Sequence, residues 1–306
     1  MSHHSISYRP DIDGLRAIAI LSVVGYHTFP NLIPGGFVGV DIFFVISGFL
    51  ISSIILKGLN SSTFSFSKFY ARRVKRIFPA LIVVMATCLV FGWFVLLPDE
   101  YAQLGKSVLG GAGFAANLVL IRDSGYYFSE TSGATSPLLH LWSLGVEEQF
   151  YFVWPLLIWA IFKLGLRFIP SIAGIAIASF VICLLWVGTD SSLAFYSPIS
   201  RFWELSLGGV LAYLGMNARS GDKPWVANNV KAICGVTLLV SSLACVRSDG
   251  FPGWLALLPA IGSVLLISAG KDTWFNKVVL SNKVVVWVGA ISYPLSVLSG
   301  DASLNA

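Results

Sequence analysis

The feature that most constrains this chain is a run of 21 residues without a charge, Ile77–Leu97. The hydrocarbon core of a bilayer is about 30 Å thick, and about 20 apolar residues cross it as an α-helix. Further apolar runs, five of them holding one or two charged residues, lie at Leu15–Phe29, Gly36–Leu56, Leu138–Phe162, Phe168–Val187, Phe202–Met216, Val230–Val246, Leu255–Ala269 and Val284–Leu298. Leu104–Ile121 is weaker, because it holds Lys106, Asn117 and four glycines. In lipid every backbone polar group must find its partner within the chain, so helices and closed barrels are the only spanning structures. Runs of this length predict an all-α fold, a polytopic bundle of about nine or ten membrane helices plus one re-entrant or interfacial segment. Composition agrees. The chain is 56% apolar and 11% charged, against roughly 25% charged in soluble domains. No soluble domain, low-complexity linker or repeat interrupts the pattern.

The basic residues set the orientation. If Leu104–Ile121 crosses fully, the 20 lysines and arginines divide 11 to 9 between the two sides, which is no bias. If it does not cross, 16 fall on the side of the N-terminus and 4 on the other. The second arrangement obeys the positive-inside rule and predicts a cytoplasmic N-terminus. The net charge of +5 is therefore a property of cytoplasmic loops and gives no signal for nucleic acid. Cys88, Cys183, Cys234 and Cys245 lie in or beside apolar runs without metal spacing, which predicts small buried hydrophobes and no disulfide. The first apolar run has no small-residue cleavage site after it, so it reads as an uncleaved span.

Some polar residues interrupt this pattern. Arg16 and His27 lie eleven residues apart in the first span, which places them on one helical stripe about 16 Å apart. Asp41 opens the second span. His140 and Glu147, seven residues apart, share a face of the Leu138 span, whereas Glu148 points elsewhere. Arg201 and Glu204, at i and i+3, can pair. Ionisable residues inside membrane segments are expensive and mark function. A neutral imidazole takes a proton near pH 7 and a carboxylate can orient it, so His27 with Asp41 or Glu147 would make a general base. In Arg72-Arg73-Val74-Lys75-Arg76 the guanidinium forks of Arg73 and Arg76 suit phosphate groups; the plainer alternative is a cytoplasmic topology anchor. No metal set is visible, nor a phosphate loop with a Walker lysine, nor a nucleophile elbow.

Five ordered stretches carry a family resemblance: YRPDIDGLRAIAILSVVGYH, GGFVGVDIFFVISGFLIS, FYARRVKRIFPAL, SPLLHLWSLGVEEQFYFVWP and SRFWELSLGGVLA. Together they resemble the acyltransferase family 3 membrane proteins, O-acetyltransferases of bacterial surface polysaccharides, from about Tyr8 to Pro294. The resemblance implies an inner-membrane enzyme moving an acetyl or other short acyl group from cytoplasmic acyl-CoA, without a metal, to a hydroxyl of an extracytoplasmic or lipid-linked glycan such as O-antigen. By the same resemblance Arg16 and His27 match an Arg-x10-His pair, with His27 the essential residue. Arg73 and Arg76 match an RxxR motif that meets CoA phosphates, and Asp41 and Glu147 match the acids of two further motifs. His27, Asp41 and Glu147 are thus the expected catalytic residues, and Arg16, Arg73 and Arg76 the expected donor-binding ones.

Members of the family continue from ISYPL into a WHWP element and further spans, whereas here ISYPL runs into SVLSGDASLNA. The expectation is one membrane domain over residues 1–300, a tail at 301–306, a shortened C-terminus and no SGNH-type extracytoplasmic domain. Two alternatives stand beside the enzyme. One is a transporter of glycan or lipid intermediates lined by the same polar residues. The other is an inactive remnant of the enzyme.

Overall fold

The computed structural model describes residues 8–29, 31–127, 138–217 and 225–291. Residues 292–306, which include the departure from the family pattern, lie outside them. Among the described residues there are helices and turns but no strand. The helices are α1 (Pro10–Thr28), α2 (Gly39–Asn60), α3 (Phe66–Val95), α4 (Pro98–Ala112), α5 (Ala116–Tyr127), α6 (Leu141–Lys163), α7 (Phe168–Val187), α8 (Ser191–Tyr196), α9 (Pro198–Asn217), α10 (Trp225–Cys245), α11 (Leu257–Ala269) and α12 (Lys283–Ile291). Four helical stretches, containing α2, α3, α7 and α10, are long and apolar enough to cross a membrane. The helices α1, α6 and α9 have 19, 23 and 20 residues but carry the charged residues singled out above. The protein is a polytopic bundle of membrane helices.

The centre of the bundle is α2, packed against α1, α6, α9 and α11. Its closest approach is to α9, and glycine makes it possible. A methyl group on Gly48 would collide with the Leu205 carbonyl, and one on Gly208 with the Val45 carbonyl. Without a hydrophobic drive between helices in lipid, close backbone packing at small residues supplies the association. Polar bonds add to it where they are buried. The Trp154 indole donates to Ser52 Oγ at 2.7 Å, joining α6 to α2. By contrast α3, α7 and α10 expose large apolar side chains such as Phe94, Ile177 and Ile233, as lipid-facing helices do.

Two boundaries differ from expectation. The helix that contains the run from Ile77 starts before it, within the basic stretch: α3 begins at Phe66 and runs for 30 residues. Ser65 caps it, its side chain accepting from the Lys68 N–H. At 1.5 Å per residue the helix is about 45 Å long, more than the apolar core needs. Lysine and arginine are good helix formers with long apolar stems, so a basic first turn extends the helix into the interface. The weak segment is two helices, α4 and α5, of 15 and 12 residues, each too short to cross. Between them Gly113, Phe114 and Ala115 break the helix, and Phe114 takes a left-handed φ of 52°. The cysteines are all free, and Cys183 is buried as expected. Cys234 and Cys245, however, are exposed on α10, because that helix presents much of its surface outward.

Candidate functional site

The helices carry their charged residues at two levels. One end of the bundle, the basic end, holds the start of α1 and of α3. Arg9 there grips Asp11 through two nitrogens, at 2.8 and 2.6 Å, and reaches the Ile267 carbonyl. Asp13 accepts from the Tyr8 hydroxyl at 2.8 Å and from Arg16 at 3.5 Å, and Arg16 is 6% exposed. On α3, Arg72 and Lys75 point outward, while Arg73 and Arg76 are half-buried. Their i, i+3 spacing puts both on the inward face of the helix.

Deeper in the bundle Arg73 lies over the Tyr151 ring, 4.5 Å from its centre. The Tyr151 hydroxyl donates to Glu147 Oε2 at 3.2 Å, and Ser47 donates to Glu147 Oε1 at 3.0 Å. Both Arg73 and Arg16 act on Glu147 through space. Helices α1, α2, α3 and α6 thus converge on one buried carboxylate, and of the six residues singled out from sequence the structure brings Arg16, Arg73 and Glu147 together. Sequence reading misses Ser47 and Tyr151. Tyr151 has a signal, because it lies four residues beyond Glu147 on the same helical face; Ser47 has none.

Beside this cluster is a cavity of about 540 Å³. It lies between α3, the α4–α5 turn and α6, and its walls include Tyr70, Arg73, Phe78, Phe114, Glu148 and Phe152. Polar bonds hold the turn in place. Gln149 donates to the Phe114 carbonyl at 2.8 Å and to Asn117 Oδ1 at 2.9 Å, and Asn117 donates to the Tyr196 carbonyl at 3.1 Å. Irregular backbone at membrane depth is tolerated where protein covers it or it lines a cavity, and both conditions hold here. Asn117, which weakens the sequence signal for a span, is fully buried and pins this turn. Glu148 faces the cavity, and its Oε1 is buried without a hydrogen-bond partner among the described residues.

A second charged cluster lies at the opposite end. Arg201 donates through Nη1 to Asp41 at 2.8 Å and to Glu204 at 2.9 Å, and all three side chains are 0–1% exposed. The guanidinium also donates through Nε to the Phe195 carbonyl and stacks against the rings of Phe195 and Phe251. The i, i+3 pair expected from sequence therefore forms, with Asp41 as a third member from α2.

The structure places the residues of the expected general base apart from one another. The Asp41 carboxylate is taken by Arg201, and Glu147 is held by Ser47 and Tyr151. His27 meets neither acid; its ring packs edge-on against Tyr26, and the residue is exposed at the end of α1. The stripe shared by Arg16 and His27 is buried at Arg16, half-buried at Ile20 and Val23, and exposed at His27. His140, at the start of α6, is exposed while Glu147 is buried, so a common face does not give them a common environment.

The fold and these clusters define a class, a polytopic helical membrane protein whose polar side chains converge inside the bundle from several helices. Within that class the acyltransferase domain family matches residues 9–299, and the chain belongs to this family. The peptidoglycan O-acetyltransferase OatA of Listeria monocytogenes is 30% identical over 95% of this chain and 49% of its own length. YrhL of Bacillus subtilis, whose name gives the same activity provisionally, is 32% identical over 95% of this chain and 48% of its own. A Staphylococcus aureus protein provisionally named an O-acetyltransferase is 30% identical over 96% of this chain and 50% of its own. The chain spans about half the length of these relatives. No solved structure matches it significantly.

Proposed function

We propose that this chain is a membrane O-acyltransferase domain. It takes an acetyl or other short acyl group from acyl-CoA on the cytoplasmic side and delivers it to a hydroxyl of a cell-envelope glycan. The observation that carries this reading is the convergence of Arg73, Arg16 and Glu147 beside a cavity at the basic end. Guanidinium forks at a membrane surface suit the phosphates of a nucleotide-bearing donor, and a simple transport pathway has no need of them. The 16-to-4 division of basic residues supports a cytoplasmic basic end and a location in the cytoplasmic membrane. The names of the relatives favour peptidoglycan over O-antigen as the acceptor.

In this reading His27 works at the acceptor side. An exposed imidazole at the end of α1 is open to a glycan hydroxyl, and a neutral ring there can take the proton that the hydroxyl loses as the acyl group is transferred. Asp41 shapes the outer side by holding Arg201 and does not orient His27. The test is acetylation of the cell's surface glycan, followed by mass spectrometry, with His27→Ala expressed in place of the wild type. The expected result is loss of the added acetyl group with normal membrane insertion. Unchanged acetylation would overturn the role of His27, and glycan movement without consumption of acyl-CoA would overturn the enzyme reading.

A further inference from the structure

The cavity between α3, the α4–α5 turn and α6 has walls that are mostly apolar, broken by few polar groups. Arg73 is half-buried at its edge. Tyr70 and Gln149 are already committed, the tyrosine hydroxyl to the Phe152 carbonyl at 2.8 Å and the Gln149 amide to the turn. Glu148 is not committed in this way. Its Oε1 is buried and lacks a hydrogen-bond partner among the described residues.

A hydrocarbon chain in this space would leave that oxygen unsatisfied, which is costly in a desolvated site. An occupant that fits must be slender and partly apolar, must offer an N–H group at the depth of Glu148, and must carry an anion near Arg73. From Tyr70 to Phe78 the α3 wall spans nine residues, a rise of about 12 Å over eight steps, so the occupant extends from the level of the guanidinium into the bundle. The volume of about 540 Å³ lies within the range of small-molecule sites.

We propose that this cavity is the subsite for the acylated pantetheine arm of the donor, with Glu148 accepting a hydrogen bond from one of the arm's amide N–H groups. The proposal rests on the acyl-CoA reading above and adds to it the residue and the space that hold the arm. Glu148 is then a binding residue that adjacency to Glu147 conceals. One step along a helix turns a side chain by 100°, and that step takes Glu148 from the Ser47–Tyr151 network to the cavity.

The experiment uses the full chain, purified in nanodiscs, with two probes. Acetyl-CoA carries the arm, and adenosine 3′,5′-bisphosphate lacks it. Ala115→Trp fills the cavity from the turn, and Glu148→Leu removes the acceptor. Both should weaken acetyl-CoA binding by about tenfold or more while leaving the bisphosphate affinity unchanged. Glu148→Gln, which keeps an acceptor oxygen, should return acetyl-CoA affinity to within about threefold of the wild type. Unchanged acetyl-CoA affinity in Glu148→Leu, with the bisphosphate still bound, would overturn the subsite and leave the donor reading intact. The subsite is likewise overturned if native mass spectrometry finds a phospholipid that Ala115→Trp displaces while acetyl-CoA affinity stays constant. Failure of the wild type to bind either probe would overturn both. Should Ala115→Trp lose both probes through misfolding, Glu148→Leu decides.

Discussion

The two buried charge clusters use the same residue types to opposite ends. The Asp41–Arg201–Glu204 cluster is closed. Its side chains are 0–1% exposed, and aromatic rings pack against its guanidinium. The Arg73–Glu147–Glu148 cluster borders a cavity and leaves one carboxylate oxygen without a partner among the described residues. An ionisable group in a membrane helix is a functional suspect by default, but the suspicion attaches to the two clusters unequally. Both clusters keep buried polar atoms without a hydrogen-bond partner among the described residues, Asp41 Oδ2, Arg201 Nη2 and Glu204 Oε2 in the first and Glu148 Oε1 in the second. The distinction therefore lies in the space beside them: a charge shut in by protein groups holds helices together, whereas a charge that borders a cavity can meet a ligand. By this criterion Arg201 is a structural residue and Arg73 a ligand-facing one.

The comparison is broken most forcefully at Arg201. Arg201→Met leaves Asp41 and Glu204 buried without their countercharge, and the expected loss is about 3–5 kcal/mol, the range for breaking a buried ion pair. Thermal unfolding in detergent should show a large fall in Tm or a protein that no longer accumulates. The triple variant Asp41→Asn, Arg201→Met, Glu204→Gln removes all three charges and should recover most of that stability. A triple variant as unstable as the single one would show that the cluster does more than hold α2 to α9.

A smaller effect is expected at the turn beside the cavity. Asn117→Ala removes a bonding partner of Gln149 and frees the Tyr196 carbonyl, at a cost of about 1–3 kcal/mol for the polar groups left unsatisfied. Hydrogen exchange should rise in Gly113–Ala115, and the unfolding midpoint should fall less than in Arg201→Met. Trp154→Phe removes the indole N–H that bonds Ser52 and should cost about 1 kcal/mol, measured as a shift in Tm without change in donor binding. At the small end, Lys75→Ala alters an outward-facing residue of α3 and should leave the unfolding midpoint unchanged, as surface substitutions usually do. A large loss of stability there would mean that the first turns of α3 are covered.

Much of this is legible in the sequence because lipid makes hydrophobicity a strong signal. The all-helical class, the order of the spans and the weakness of Leu104–Ile121 follow from apolar run length and from glycine content. The inward pairing of Arg73 with Arg76, and the pairing of Arg201 with Glu204, follow from helical spacing alone. What is not legible depends on which helices meet. Asp41 and Arg201 are 160 residues apart, and nothing local says that the arginine from α9 takes the carboxylate expected to serve His27. Sequence reading places the start of α3 too late because basic residues resemble a loop in a hydropathy scan, although their helix propensity is high. Glu148 is hidden because its neighbour occupies the expected position, and only the cavity shows what it faces.

The most direct test of the distinction between a ligand-facing and a structural cluster is the affinity of the nanodisc-held chain for acetyl-CoA when Arg73 and Arg76 are both replaced by alanine. Each guanidinium–phosphate contact is a charge-assisted hydrogen bond, so the account predicts a loss of about a hundredfold in affinity, with a fall in the unfolding midpoint smaller than that of Arg201→Met. Wild-type affinity in the double variant would contradict it.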